Sequence, residues 1–485
     1  MPVPEEDGGS SSSLSSPSDG SKSSIISRNP FSRNHSRKLE RTMSTGGIYS
    51  DVNLWAEAEL PSPVWSLAVS KSGVLCGCDN GTVVFMNSNL VINETIPAHR
   101  SAVTHVQWTI DGLHFLSAGT DSIICVWSMA YTPEKPSEVR CLLAIPQTSP
   151  LVSACFHPLT YSSPTSSFTF PSMLKQSLSA PAPVSMAMGA MIPSMTYSNK
   201  PPNVQKSAVV FSLTSDRRIG VWVDGQADRY ESLSSKDPPV CMSCCLRGPS
   251  TASLASADPG AAFLAVGTKT GNLLLYSYSP EQGLKYEASL VCRNRRGAFK
   301  EGTPLVSISW VNPNEMLVTT QDNRIRLVKL SLVSGMKSFG RITLSVAKKF
   351  RGHKSSGGES PFGAFVLSPP FGDTVVECGS ECGRVFVWPY PGTKNFSEPR
   401  RSFWKRVART LKPSRAIKST ECWRAVEHPD KLTAVAPAPW NPEKGSIGGS
   451  CTVTASLNGF VRMFFNREKA SGSGRTRSPE INNTT

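Results

Sequence analysis

Short apolar runs alternate with tight turns along most of the chain. In residues 98–127, three runs rich in β-branched, aromatic and other apolar residues are separated by the stretches "TIDGLH" and "TDS". Short runs of this kind, bounded by Gly, Asp or Ser, are typical of β-strands, and nothing in the segment has helical spacing. The segment therefore predicts three antiparallel strands joined by short turns, a β-meander.

The same pattern recurs along the chain. Seven units lie at 64–86, 98–127, 151–158 with 208–222, 240–246 with 261–276, 305–328, 362–388, and 432–440 with 451–465. One such unit cannot bury both faces of its own sheet, so radial packing is expected. The sequence therefore predicts an all-β fold, a seven-bladed propeller. An extra strand at 51–60 is predicted to complete the last blade and close the ring.

The second unit contains four residues at a spacing that predicts a hydrogen-bonded tetrad. They are His99, Ser117, Asp121 and Trp127. A histidine before the first strand can bond a serine on the second strand and an aspartate in the next turn, while the serine accepts from the indole N–H. This arrangement is typical of a WD repeat. We interpret the four residues as structural, in preference to a catalytic His99–Asp121 pair.

Composition and motifs argue against catalysis and metal binding. The 485 residues include 51 Lys and Arg against 36 Asp and Glu, a net charge of +15, and 13 Cys. Most cysteines lie in apolar runs, and the clusters at 241–245 and 378–382 lack zinc-ligand spacing. There is no Gly-rich phosphate loop, nucleophile elbow or paired-carboxylate arrangement. We expect no enzyme activity, no catalytic residues, no cofactor and no metal.

The N-terminal sequence lacks the apolar core of a signal peptide, and no apolar run reaches membrane-spanning length. We therefore expect a soluble protein in a reducing, intracellular setting.

Four segments interrupt or flank the repeat. The propeller is predicted to span 47–466, between a Ser-rich, basic tail at 1–46 and a second tail at 467–485. A Ser-, Pro- and Met-rich insertion occupies 161–205, and a basic insertion occupies 396–420. The tails and the 161–205 insertion are too polar to form a packed core, so we expect them to be disordered.

The basic insertion is the strongest candidate for a binding segment. Drawn as a helix, it places Phe403 and Trp404 on one face and basic residues on the rest. Aromatic anchors with a cationic face suit an anionic membrane surface or an acidic groove of a partner protein. The alternatives are a solvated loop whose aromatic side chains pack on the propeller, and a nucleic-acid contact. The candidate contact residues are Arg400, Arg401, Phe403, Trp404, Lys405, Arg406, Arg409 and Lys412.

A second candidate is a short linear motif in the N-terminal tail. Asn29, Pro30 and Phe31 resemble the tripeptide ligand of endocytic EH domains. Because a tripeptide also occurs by chance, a role without function remains the alternative.

Several stretches resemble the WD-repeat-containing protein 44 family, which includes a rabphilin-like endosomal protein. They are "LYSYSPEQGLKYEASLVCRNRRGAFKEGTPLVSISWVNPNEMLVTTQDNRIRLVKL" at 275–330, "KKFRGHKSS" at 348–356, "GSECGRVFVW" at 379–388 and "RRSFWKRV" at 400–407. The resemblance covers about residues 61–469. It implies a propeller scaffold in endosomal traffic that binds a Rab-type small GTPase. The chain departs from the family in "GSECG", which replaces Gly-Ser-Glu-Asp, and in its short N-terminal region.

Together these features predict a non-enzymatic scaffold in endosomal or vesicle membrane trafficking, cytoplasmic and endosome-associated, with protein partners and a peripheral contact with anionic membrane. The alternative is a nuclear or ribonucleoprotein WD-repeat scaffold, which the net charge of +15 favours. Nucleic acid is the weaker expectation, because the chain lacks an aromatic stacking pattern. The sequence makes no prediction of oligomeric state.

Overall fold

The computed structural model describes residues 41–43, 49–132, 135–161, 208–247, 260–292, 303–322, 324–333, 341–351, 361–367, 374–391, 416–419, 421–427, 429–440 and 449–468. These residues belong to one compact unit, His35–Thr485. Within them the regular secondary structure is entirely β: thirty strands, numbered in chain order, form seven sheets. None of the described residues forms a helix long and apolar enough to cross a membrane.

Blades 1 to 4 are antiparallel sheets of four consecutive strands. Blade 1 contains β3 (Val64–Ser70), β4 (Gly73–Cys78), β5 (Thr82–Met86) and β6 (Ile92–Pro97). Blade 2 contains β7 (Val103–Trp108), β8 (His114–Gly119), β9 (Ile123–Thr132) and β10 (Lys135–Pro146). Blade 3 contains β11 (Leu151–Phe156), β12 (Val209–Thr214), β13 (Arg218–Val223) and β14 (Gln226–Ser232). Blade 4 contains β15 (Pro239–Leu246), β16 (Ala262–Thr268), β17 (Asn272–Ser279) and β18 (Gly283–Val291).

Blades 5 to 7 include strands from distant parts of the chain. Blade 5 contains β19 (Leu305–Asn312), β20 (Glu315–Thr320), β21 (Arg324–Val333), β22 (Arg341–Arg351) and β26 (Ala416–Lys418). Blade 6 contains β23 (Pro361–Leu367), β24 (Val375–Ser380), β25 (Arg384–Pro389), β27 (Glu421–Arg424) and β1 (Arg41–Met43). Blade 7 contains β28 (Leu432–Ala438), β29 (Gly449–Ser456), β30 (Phe460–Glu468) and β2 (Tyr49–Glu59).

The sheets follow one another in a closed ring. The first strand of each blade contacts the first strand of the next, and β28 of blade 7 contacts β3 of blade 1. β2 pairs antiparallel with β30, from Tyr49 opposite Glu468 to Glu59 opposite Phe460. The predicted seven-bladed propeller is confirmed, and the strand predicted at 51–60 does complete the last blade.

Apolar side chains fill the spaces between blades. Each of the seven pairs of neighbouring blades shares one buried cluster, such as Val74 of blade 1 with Val453 of blade 7. The middle strands are therefore covered on both faces, and every residue of β4, β12 and β16 is buried. Full burial of a large apolar side chain is worth about 1.5–3 kcal/mol, so blade-to-blade packing stabilises the ring.

Short strands also occur where the sequence predicted tails or insertions. β1 lies within the predicted N-terminal tail and β26 lies within the predicted basic insertion. β30 ends two residues beyond the predicted domain boundary, at Glu468. The two short strands form because an exposed sheet edge supplies backbone partners to segments with little strand signal of their own. The insertion at 161–205 lies outside the described residues apart from Tyr161.

Candidate functional site

The polar tetrad in blade 2 forms a continuous hydrogen-bonded chain. The indole N–H of Trp127 donates to Ser117 Oγ at 2.9 Å, and Ser117 Oγ lies 2.8 Å from His99 Nε2. His99 Nδ1 lies 3.1 Å from Asp121 Oδ1. Asp121 also accepts hydrogen bonds from the backbone N–H groups of Arg100 and Ile123. The network joins the loop before β7, the middle of β8 and β9, and the turn between β8 and β9.

Hydrogen-bond directions assign the proton positions in this network. The Asp121 carboxylate can only accept, so His99 Nδ1–H donates to it; Nε2 of the neutral ring then accepts from the Ser117 hydroxyl, whose oxygen accepts from the indole. Burial lowers the pKa of His99, and this effect exceeds the opposing attraction of Asp121. The imidazole is therefore held neutral near pH 7, with every polar atom of the ring partnered.

The order Asp121–His99–Ser117 is also that of a nucleophilic triad. A serine nucleophile must reach a substrate carbonyl, yet Ser117 has no exposed surface and the His99 side chain is likewise fully buried. Trp127 covers the same hydroxyl. The geometry therefore provides rigidity to blade 2 and offers no surface on which acyl chemistry could take place.

Other blades keep parts of this arrangement. In blade 3 the indole of Trp222 donates to Ser212 Oγ at 2.9 Å, repeating the serine–tryptophan half of the tetrad. In blade 6 the indole of Trp388 donates to the backbone oxygen of Arg351 in blade 5, at 2.8 Å. In blade 6, where "GSECG" replaces Gly-Ser-Glu-Asp, the tryptophan therefore bonds to the backbone of the neighbouring blade.

A buried polar network at the closure of the ring was missed by the sequence analysis. Glu377 of β24 is fully buried and accepts hydrogen bonds from the hydroxyl of Tyr49 at 2.5 Å and from Thr452 at 2.7 Å. The side-chain amide of Asn466 lies 3.4 Å from the same carboxyl group and donates to Thr452 at 2.9 Å. The sequence signal was a glutamate inside the apolar run "TVVEC". The network connects blade 6, blade 7 and the closing strand.

All thirteen cysteines are free thiols, and seven of them are buried. The buried ones include the cysteines that the sequence places in apolar runs. One exposed thiol, Cys141 of β10, faces Cys125 of the neighbouring strand. A hydrogen bond from Cys125 lowers the pKa of Cys141 to about 7, and the same contact raises the pKa of Cys125. In the parts of the chain that the structure describes, no group of His, Cys, Asp or Glu is arranged to hold a metal ion.

The predicted binding residues lie outside the described residues. This applies to Arg400, Arg401, Phe403, Trp404, Lys405, Arg406, Arg409 and Lys412, and to Asn29, Pro30 and Phe31. The structure does describe the end of the basic insertion, where β26 pairs with β22 on the outer edge of blade 5.

Comparisons with known proteins agree with the repeat seen in blade 2. Residues 91–128 match the family model described as WD domain, G-beta repeat. The chain is similar to the crystal structure of Saccharomyces cerevisiae Sqt1, with 14% identity, a TM-score of 0.49, and coverage of 86% of this chain and 99% of that chain. No curated protein sequence matches.

The matched segment runs from the start of β6 to the last member of the tetrad. Neither match concerns the WD-repeat-containing protein 44 family, so that resemblance stays a prediction. The chain therefore contains a WD40 repeat, which forms most of the second blade of a seven-bladed WD-repeat propeller.

Proposed function

We propose that this protein is a non-enzymatic protein-interaction scaffold. The observation that carries the proposal is the closed ring of seven sheets, in which each blade is fixed to its neighbours by a buried cluster. Such a ring presents many turns and strand edges on a rigid frame, and loops on rigid frames commonly carry binding. The side chains of Ser117, His99 and Asp121 bond to one another inside blade 2, where a substrate could not reach the serine. This arrangement supports a binding role over catalysis.

We further propose that the scaffold acts in endosomal or vesicle membrane trafficking, through a Rab-type small GTPase or another protein partner. The support is the resemblance of the 275–330 and 400–407 stretches to an endosomal family. The 400–412 segment would assist by contacting anionic membrane, where each nearby Lys or Arg is worth about 1 kcal/mol. The proposed location is the cytoplasm, at endosomes.

The net charge of +15 supports a second candidate, a nuclear or ribonucleoprotein scaffold. Lys and Arg offset phosphate charge without base-specific contacts, so such binding would fall steeply with salt. In this case the basic segment would act as a localisation signal.

The deciding experiment is microscopy of the fluorescently tagged full chain in its own cells. The test variant replaces Lys405, Arg406, Arg409 and Lys412 by Ser. The control variant makes the same charge change at four exposed lysines elsewhere, namely Lys71, Lys236, Lys269 and Lys285.

Puncta that carry endosome markers, disperse in the test variant and persist in the control would support the trafficking scaffold. Nuclear signal that leaks out in the test variant alone would support the second candidate. A large drop in melting temperature of the purified test variant would contradict both, because it would make the basic segment part of the fold.

A further inference from the structure

We propose that Cys125 and Cys141 form a reversible oxidation site of blade 2, at which hydrogen peroxide converts the two thiols into a disulfide bond. The site lies on the two outer strands of the blade, β9 and β10. This inference goes beyond the scaffold function, because it gives the ring a covalent modification that does not depend on which partner binds.

The two cysteines lie on one face of the sheet, on neighbouring strands. Cys141 stands opposite Trp127 in the pairing of β10 with β9. Cys125 precedes Trp127 by two residues, and residues two apart in a strand point to the same face. The thiol of Cys125 reaches diagonally across the strand pair and hydrogen-bonds to the sulfur of Cys141. The two sulfur atoms are therefore in contact before any bond forms between them.

A β-bulge at Cys141 provides the local freedom that such a bond needs. The register of β10 shifts between Cys141 and Leu143, and Cys141 Sγ lies 3.5 Å from the backbone oxygen of Leu143. Diagonal neighbours in a sheet are about 7–8 Å apart, whereas the Cα atoms of a disulfide are usually about 4.4–6.8 Å apart. Closure therefore draws the strands together where the regular ladder is already interrupted. A strained disulfide is readily reduced, which suits a reversible site.

The two thiols differ in the way that such a site requires. Cys141 is exposed, whereas Cys125 is buried. The hydrogen bond from Cys125 lowers the pKa of Cys141 to about 7, so a large share of this residue is thiolate near neutral pH. Because the thiolate is the form that attacks peroxide, Cys141 is oxidised first and Cys125 is placed to react with the product.

The reaction has two steps. The Cys141 thiolate attacks one oxygen of hydrogen peroxide: a sulfur–oxygen bond forms, the oxygen–oxygen bond breaks, and the departing hydroxide takes up the proton that the Cys141 thiol released. The sulfur of Cys125 then attacks the sulfur of the resulting sulfenic acid. A disulfide bond forms, the sulfur–oxygen bond breaks, and a second water leaves with the proton of Cys125. Two thiols are oxidised and one peroxide is reduced to two waters.

Oxidation of Cys141 prepares Cys125 for the second step. The largest cause of the raised pKa of Cys125 is its hydrogen bond to Cys141, followed by burial and by the charge on Cys141. Formation of the sulfenic acid removes that charge, so Cys125 loses its proton more easily. The first step therefore activates the thiol that carries out the second.

A second cysteine pair differs from this one and provides an internal comparison. Cys155 of β11 and Cys244 of β15 are hydrogen-bonded to each other between blades 3 and 4. Neither thiol is exposed, and burial raises the pKa of Cys244 well above its usual value. We expect this pair to stay reduced while Cys125 and Cys141 are oxidised, because contact alone does not supply a reactive thiolate.

The test treats the purified full chain with equimolar hydrogen peroxide at neutral pH, blocks the remaining thiols with iodoacetamide and maps tryptic peptides without reduction. Cleavage after Arg140 places Cys125 and Cys141 on different peptides. The disulfide should join these peptides until dithiothreitol separates them, and fragmentation distinguishes Cys141 from Cys155 on the same peptide. We expect Cys141 to be oxidised at least about tenfold faster than Cys244, because the thiolate is the reacting form.

Three variants assign the roles of the two thiols. Cys125→Ala should retain the first step and accumulate the sulfenic acid of Cys141, which dimedone traps. Cys141→Ser changes an exposed side chain, and neither the cross-linked peptide nor oxidation of Cys125 should appear. It carries the test alone if Cys125→Ala lowers the melting temperature. Cys382→Ser, at a half-buried cysteine of blade 6, is the matched control and should form the cross-link like the wild type.

Three results would overturn the inference: sulfenic acid that persists at Cys141 of the wild type without a cross-link, a disulfide through Cys141 that joins two copies of the chain, or oxidation of Cys141 no faster than that of Cys244. The localisation of the 405–412 variant tests the proposed function separately, so the failure of one proposal is distinguishable from the failure of the other.

Discussion

The hydroxyl of Tyr49 donates a 2.5 Å hydrogen bond to the carboxyl group of Glu377, although the two residues are 328 positions apart in the chain. Tyr49 begins the strand that completes blade 7, and Glu377 lies in the middle of blade 6. The bond therefore ties the closing strand to the blade beside it, in addition to the strand it pairs with.

Replacing Tyr49 by Phe should destabilise the protein by about 1–3 kcal/mol. The ring would remain buried, but a donor to a fully buried carboxyl group would be lost, and an under-satisfied buried acceptor costs about this much. Urea unfolding followed by tryptophan fluorescence measures the change. Tyr230→Phe is the control, because that ring is half-exposed and packs edge-on against Trp222. Equal stability of the two variants would show that the bond contributes nothing to closure.

Ser117→Ala should cost more stability than Ser212→Ala. Removal of the Ser117 hydroxyl takes a hydrogen-bond partner from both the indole of Trp127 and Nε2 of His99. Removal of the Ser212 hydroxyl takes a partner from the indole of Trp222. Both serines are fully buried, so the size of the cavity is matched. We expect about 1–3 kcal/mol for Ser117→Ala. Similar losses in the two variants would contradict a cooperative tetrad.

Acid should destabilise the fold partly through His105 on β7. Burial lowers the pKa of His105 from its ordinary value of 6.5 to about 4. The unfolded chain therefore binds this proton below pH 6.5 while the folded chain stays neutral until about pH 4, so stability falls as the pH drops through this window. The free energy of unfolding of His105→Gln should fall less steeply between pH 6.5 and 4 than that of the wild type. Parallel curves would contradict the assignment.

Cys141 should be the thiol that is alkylated first in the folded protein. It is exposed, and its pKa is lowered to about 7 by the hydrogen bond from Cys125. Iodoacetamide labelling, followed by peptide mass spectrometry, should reach half its maximal rate near pH 7. In Cys125→Ala this midpoint should move upward, because the donor that stabilises the thiolate is gone. Burial raises the pKa of Cys244, which should stay unlabelled in both proteins. A midpoint above pH 8 in the wild type would contradict the prediction.

The regular part of the fold was predictable because the signal is local and repeated. Alternating apolar runs and turn residues mark each blade, and the 51–60 segment stands out as a strand with no unit before it. The tetrad was predictable from residue types and spacing, because each side chain supplies a donor or acceptor that the network needs. Its members are His99, Ser117, Asp121 and Trp127.

The remainder was not predictable because it depends on contacts between distant segments. Nothing near Glu377 in the sequence reveals that Tyr49, Thr452 and Asn466 surround it. The strands Arg41–Met43 and Ala416–Lys418 have three residues each, too short for a periodic pattern, and they form on edges supplied by other blades.

The pairing of β2 with β30 has a consequence for biosynthesis. Glu59 can pair with Phe460 only after that residue leaves the ribosome, about 400 residues later. At 5–20 residues per second, that delay is on the order of 20–80 seconds. Throughout this time blade 7 is incomplete, and the apolar faces of blades 1 and 6 that it will cover are exposed to solvent. Until the final strand emerges, the nascent protein therefore exposes apolar surface that chaperones can bind, and truncation within β30 would remove the partner of β2 and leave the ring open.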